Sequence, residues 1–70
     1  MTVRYFLDAY KPDTYFSIFV NGYKNLIAEG TVAELRRKLN EYVLDCCQVG
    51  DFALNLGNRN VLSIVDELDI

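Results

Sequence analysis

A strong helix signal between Thr31 and about Cys47 leaves the rest of this short chain few ways to fold. Thr31 is followed three residues later by Glu34, the capping-box pattern that begins a helix. Apolar residues then recur every three to four positions, as on one face of an α-helix. The pattern predicts one amphipathic helix that ends near Gly50 and packs on a flat apolar surface. Its apolar residues are Val32, Leu35, Leu39, Tyr42, Val43 and Cys46.

The part of the chain before this helix is predicted to contain strands. Apolar and polar residues alternate from Val3 to Tyr10, which is typical of a half-buried strand. The sequence Lys-Pro-Asp-Thr at 11–14 then favours a turn, because proline restricts φ and aspartate bonds to nearby backbone. A second strand is expected from Tyr15 to Val20, and its even-numbered residues form the more apolar stripe.

The dipeptide Asn21-Gly22 predicts a hairpin, because both residues tolerate positive φ. The third strand is then expected at residues 24–29, in one of two registers. A two-residue turn would place Asn25 on the inner face, whereas a three-residue loop with a bulge would place Leu26 and Ala28 there. The second register buries less polar surface and is preferred, since a slip of one residue exchanges the two faces.

Two more strands are predicted after the helix, at residues 52–56 and 61–66, with a Gly-Asn-Arg-Asn turn between them. In the first of these strands Phe52, Leu54 and Leu56 are expected to point inward. For the last strand, the sequence leaves open whether the even-numbered or the odd-numbered residues point inward. The polar Ser63 favours the even-numbered pair, Leu62 and Ile64.

These elements predict a single compact α+β domain that spans residues 1–70. The expected order is β-β-β-α-β-β, a two-layer arrangement in which one amphipathic helix packs on a mostly antiparallel sheet. Residues 67–70 are expected to fray. Because one helix covers only one side of a sheet, the other side must face water or a partner.

The composition argues against several classes of function. The chain has no histidine, ten acidic and seven basic residues, and a net charge of −3. It therefore has no excess of positive charge for binding nucleic acid, and it lacks histidine, the commonest general base. The carboxylates on the helix are expected to form a solvated face rather than an acid–base pair. We predict a protein that is not an enzyme and has no catalytic residue, no cofactor and no metal site.

The two cysteines, Cys46 and Cys47, are adjacent, which suits neither an ordinary disulfide nor a CxxC metal site. Cys46 is expected to be buried on the apolar helix face, and Cys47 to lie nearer the surface. Two reduced thiols without a recognisable leader predict a cytoplasmic location. The apolar runs are too short to predict a membrane span.

Aromatic residues carry the clearest functional signal. On the first two predicted strands they fall on the face away from the helix, beside an arginine, a combination typical of the centre of protein interfaces. The alternative is that the sheet curls and these side chains close a second small core. The candidate partner-binding residues are Arg4, Phe6, Tyr10, Tyr15 and Phe19.

The leading hypothesis is a protein-interaction module that forms a homodimer or binds a larger host protein. In size and composition alone, the chain resembles the small inhibitors with which phages and mobile elements block host proteins. Open sheet edges offer a second contact mode, by strand addition. The alternative function is a small-ligand-binding or enzyme-subunit domain whose pocket is completed at a dimer interface. Nucleic-acid and membrane partners are not expected.

Overall fold

A computed structural model describes residues 1–66 of the 70-residue chain. The fraying predicted for residues 67–70 lies outside the described residues. The elements, in chain order, are helix α1 (Val3–Leu7), strands β1 (Tyr15–Val20) and β2 (Leu26–Thr31), helix α2 (Val32–Lys38), a single π-helical turn (Tyr42–Cys46, the π turn), and strands β3 (Gln48–Leu56) and β4 (Arg59–Val65).

The four strands form one sheet in the order β2-β1-β4-β3. Strand β1 is antiparallel to β2 and parallel to β4, and β3 is antiparallel to β4. The prediction of an α+β chain with a mostly antiparallel sheet is therefore confirmed. The predicted element order β-β-β-α-β-β is wrong, because the chain begins with a helix and its central helical segment is divided.

The first segment is a helix rather than the predicted strand. Its apolar residues Val3, Phe6, Leu7 and Tyr10 are spaced by three, four and seven positions, which is also a helical pattern. The side chain of Thr2 caps the helix by accepting a hydrogen bond from the Tyr5 backbone N–H (3.2 Å). Strand β1 already has β2 and β4 on its two sides, so an N-terminal strand could not pair with it.

The capping box predicted at Thr31 and Glu34 is confirmed. The Glu34 backbone N–H donates to Thr31 Oγ1 (3.2 Å), and the Thr31 backbone N–H donates to Glu34 Oε1 (3.1 Å). The hydrogen bonds that the Thr31 backbone N–H and hydroxyl donate to the Glu34 carboxylate lower the pKa of this carboxyl, because they stabilise its charged form. The start of α2 is thus determined by four consecutive residues.

The helix predicted to continue to Cys47 stops at Lys38. Leu39 has an extended backbone (ψ 137°). The side chain of Asn40 then accepts from the Val43 backbone N–H (2.9 Å) and begins the π turn. The break changes which cysteine faces inward: Cys47 is 2% exposed and Cys46 is exposed, the reverse of the prediction.

Gly50 does not end a helix, as was predicted, because it lies within β3. A side chain at this position would meet Val65, since a Cβ built on Gly50 would lie 2.7 Å from Val65 Cγ2. Gly50 is therefore explained by close packing between two strands, at an irregular point in their register.

The first hairpin contains the predicted turn but a longer loop. Asn21 and Gly22 have positive φ, yet the Val20 backbone N–H pairs with the Asn25 carbonyl (3.0 Å). A bulge beside Phe19 places Leu26 opposite that residue, on the outer face. Of the two residues that the preferred register placed inward, Ala28 packs against the core and Leu26 does not.

The second hairpin confirms the inward placement of Leu62 and Ile64, which are both buried. In β3, Leu54 and Leu56 are exposed, and their predicted inward placement is wrong. The register shifts between Ala53 and Leu56, where Asn55 takes a positive φ, so the simple alternation of faces ends there.

One core joins the helical segments to one face of the sheet. Its buried residues are Val3, Phe6, Leu7, Phe16, Ile18, Val32, Leu35, Leu39, Leu44, Cys47, Leu62 and Ile64. The even-numbered residues of β1 and β4 thus face the helices. The odd-numbered ones lie on the opposite face, which we call the open face.

Candidate functional site

The five predicted partner-binding residues do not lie together. Phe6 is 5% exposed and packs in the core, with ring centroids 5.7 Å from Phe16 and 5.2 Å from Tyr10. Tyr10 also packs against Phe16, at 5.1 Å. Their predicted position on the face away from the helix is wrong, because helix α1 places Phe6 in the core and the turn after it brings Tyr10 against Phe16.

Arg4 has a contact of its own within the chain. Its guanidinium makes two hydrogen bonds to the Asp45 carboxylate, from Nε (2.7 Å) and Nη2 (3.1 Å). This bidentate pair links α1 to the π turn. The hydrogen bond raises the pKa of Arg4 and holds the pKa of Asp45 below its ordinary value. Arg4 therefore joins two helical segments and does not lie on the open face.

Tyr15 and Phe19 do lie on the open face, as predicted, since they alternate with the buried Phe16 and Ile18 along β1. Two residues that were not predicted join them. Tyr23 packs its ring 5.7 Å from that of Phe19, and Leu26 lies opposite Phe19 in β2. We call Tyr15, Phe19, Tyr23 and Leu26 the aromatic patch.

The aromatic patch is well exposed for apolar side chains. Tyr15, Tyr23 and Leu26 are 48%, 42% and 50% exposed, and Phe19 is half-buried. Sequence alternation could not reveal Tyr23 or Leu26, because one lies in the hairpin loop and the other lies next to the bulge at Ile27. The Asn21-Gly22 turn signal located the loop but did not predict its length.

Hydrogen bonds hold the hairpin loop against the open face. The Gly22 backbone N–H donates to Ser63 Oγ (2.9 Å), and the Ser63 hydroxyl donates to the Gly22 carbonyl (3.3 Å). Burial raises the pKa of the Tyr23 phenol, and the nearby Asp51 carboxylate raises it further. The loop thus connects β1 to β3 and β4 and positions the Tyr23 ring in the aromatic patch.

Both edges of the sheet carry contacts that reduce strand addition. On β2, the Lys38 ammonium donates to the Glu29 backbone carbonyl (3.0 Å). On β3, the Val49 backbone N–H donates to the Met1 carbonyl (2.8 Å), and Thr2 bridges to Gln48. Lysine side chains and short covering segments are common ways to protect sheet edges. A contact through the open face is therefore favoured over a contact through an edge.

A cleft of about 370 Å³ lies where the helical segments are interrupted. It separates the end of α2 and the π turn from the ends of β1 and β4. Its apolar walls are Val20, Ile27, Leu39, Val43, Cys47 and Ile64, and its polar residues are Lys38, Asn40 and Asp66.

Asp66 is engaged at the edge of this cleft, where its carboxylate accepts a hydrogen bond from the Tyr42 hydroxyl (2.7 Å). This hydrogen bond is the main reason that the pKa of Tyr42 rises to about 12. The contact also links the π turn to the residue that follows β4. The cleft is a second candidate site, separate from the aromatic patch.

Two further features of the described residues bear on function. Within residues 1–66, no group of three or more histidine, cysteine, aspartate or glutamate side chains is arranged to hold a metal ion. Over the same range, no helix has the length and apolar character needed to cross a membrane.

Comparison with known proteins gives no match from which the role of either candidate site could be read. No protein-family model, curated protein or solved structure matches this chain significantly. The function of the chain therefore has to be inferred from the aromatic patch and the cleft.

Proposed function

We propose that this chain is a non-enzymatic protein-interaction module that binds a second polypeptide through the aromatic patch. The observation that supports this function is a group of half-exposed aromatic and aliphatic side chains on the open face. Among the described residues, the helices share their core with the opposite face of the sheet. Tyrosine and phenylalanine are enriched at the centres of protein interfaces.

The aromatic patch suits binding because it is held in place before a partner arrives. The rings of Phe19 and Tyr23 pack edge to face, with an interplanar angle of 74°. The loop that carries Tyr23 is bound to Ser63. Binding by side chains that are already ordered loses less conformational entropy, so more of the burial energy contributes to affinity.

Charge on the open face favours one kind of partner surface. Glu29 accepts a hydrogen bond from Ser17 on this face (3.4 Å), and Asp51 lies opposite Ser63 in the sheet. These two carboxylates, together with the exposed Arg59 of β4 on the same face, complement a partner with an apolar centre and charged residues of both signs around it. The proposed mechanism is occlusion: the aromatic patch covers a functional surface of a larger protein, or the same patch of a second copy.

The first test compares two matched double variants. Tyr15→Ala with Leu26→Ala removes a tyrosine and a leucine from the aromatic patch. Tyr5→Ala with Leu56→Ala removes the same residue types from exposed positions on α1 and at the end of β3. Circular dichroism first establishes that both variants keep the fold, as expected for exposed positions.

Light scattering after size exclusion then gives the solution mass at micromolar concentration. For self-association, the wild type and the control variant should have about twice the chain mass of 8.0 kDa, and the patch variant the single-chain mass. If the wild type has the single-chain mass, a larger partner should be retained by the control variant and lost by the patch variant. The proposed function would be contradicted if the two variants had equal solution masses and also retained a larger partner equally well.

A further inference from the structure

We propose that the cleft is a binding site for an apolar monocarboxylate, such as a medium-chain fatty acid. Lys38 would bind the carboxylate, and the hydrocarbon chain would lie against Val20, Ile27 and Ile64. The volume of about 370 Å³ falls within the range of small-molecule sites, which begins at about 300 Å³. The proposal concerns a site outside the aromatic patch and does not depend on the proposed function.

The apolar walls follow from two irregularities in the chain. The helical backbone is interrupted between Lys38 and Tyr42, and the gap leaves Val20, at the end of β1, half-buried beside the buried Ile64 of β4. These two residues are paired in the sheet. The bulge in the β1–β2 pairing brings Ile27 into the wall of the cleft.

The Lys38 ammonium in the cleft can donate further hydrogen bonds to a ligand. An ammonium group has three N–H donors, and the Lys38 contact to the Glu29 carbonyl uses one. Glu34 forms an i,i+4 ion pair with Lys38, but its closest carboxylate oxygen, 3.9 Å from the Lys38 nitrogen, is too distant for a hydrogen bond. Glu34 Oε1 instead accepts from both the backbone and the hydroxyl of Thr31.

Lys38 is the group in the cleft that would bind an anionic head group. Among the described residues that line the cleft, Lys38 is the one cation and Asp66 the one acid. The Asp66 carboxylate is already hydrogen-bonded to Tyr42 at 2.7 Å. Carboxylates bind lysine through charge-assisted hydrogen bonds, which are stronger than those between neutral groups.

The test uses sodium octanoate below its micelle concentration, with 1-octanol as a neutral ligand of the same chain length. Binding is followed through the amide NMR spectrum of the full chain. Octanoate should shift the signals of Val20, Ile27 and Val43 and leave those of Tyr15 and Tyr23 unchanged. Lys38→Met should weaken octanoate binding about tenfold, the scale expected for loss of a charge-assisted hydrogen bond, and should not weaken octanol binding.

Two control variants separate the charge from effects on the fold. Lys38→Arg keeps a cation at the cleft and should retain most of the octanoate affinity. Lys11→Met removes an exposed lysine from the turn before β1 and should leave octanoate binding unchanged. The proposal would be overturned by shifts confined to the open face, by equal octanoate binding in the wild type and Lys38→Met, or by no octanoate binding at millimolar concentration.

Discussion

At the scale of single residues, charged groups link segments that are distant in sequence. Arg4 and Asp45 are 41 positions apart and join α1 to the π turn through two hydrogen bonds. An ion pair between Arg36 and Asp8 similarly connects α2 to the end of α1. Because these side chains are largely exposed, solvent screening limits what each pair contributes. They specify how the helical segments meet more than they add to the free energy of unfolding.

The Arg4–Asp45 pair should make stability depend on pH in acid. The pKa of Asp45 is below its ordinary value of 3.8 in the folded chain. Its stabilising contribution is therefore fully present above that value and is lost as the pH falls through the lowered pKa. Asp45→Asn should lower the urea midpoint slightly at neutral pH, and the difference from the wild type should disappear in strong acid.

A double-variant cycle checks that this effect comes from the pair. In an Arg4→Gln background, Asp45→Asn should have a much smaller effect on the urea midpoint at neutral pH. An unchanged effect in that background would show that Asp45 contributes through some other contact.

At the scale of elements, the backbone conformation of a short segment depends on the residues that surround it in the fold. The segment Val3–Tyr10 fits both a strand period and a helix period, and the Thr2 cap and the packing against the core select the helix at Val3–Leu7. The segment 31–47 contains a good helical pattern, yet the backbone is interrupted at Leu39 and restarts at Asn40. Asparagine accepts backbone hydrogen bonds readily, so it competes with continuation of the helix.

The side-chain cap of Asn40 should be measurable in the stability of the chain. Asn40→Ala removes the acceptor of the Val43 N–H and should lower the free energy of unfolding by about 1 kcal/mol. Asn40→Asp keeps an oxygen acceptor at the same position and should retain most of the stability. Urea unfolding followed by circular dichroism gives both values. A more stable Asn40→Ala variant would mean that a continuous helix is preferred once the cap is removed.

At the scale of the whole molecule, the parallel pairing of β1 with β4 organises the fold. It brings residues 17–20 beside residues 61–64, across most of the chain length. The pairing places the even-numbered residues of both strands in one core and the odd-numbered residues on the open face. The aromatic patch and the cleft lie on opposite sides of this same pair of strands.

A substitution at Phe6 tests whether the stability of the chain depends on this one core. Phe6→Ala should cost about 3–5 kcal/mol, which is as large as the net stability expected of a core this small. The variant should therefore be largely unfolded by circular dichroism, whereas Tyr15→Ala should remain folded. A folded Phe6→Ala variant that had lost association would instead restore Phe6 to the partner-binding surface.

The candidate site was predictable only in part. Tyr15 and Phe19 were correctly assigned to the open face, because β1 is a regular strand in which alternation holds. Alternation predicts the wrong face for Phe6 and Tyr10, because residues 3–7 form a helix rather than a strand. Tyr23 and Leu26 depend on the loop length and the bulge, which follow from pairing between strands. The cleft depends on the helix break and had no counterpart in the sequence pattern.

The sequence by itself determined the local features, namely the capping box at Thr31 and the positive φ of Asn21 and Gly22. Each depends on the chemistry of a few neighbouring residues. Only the tertiary structure decided that residues 3–7 are helical, that β1 pairs with β4, and which cysteine is buried. These outcomes depend on contacts between distant segments, and such contacts override the weak preferences of short ones.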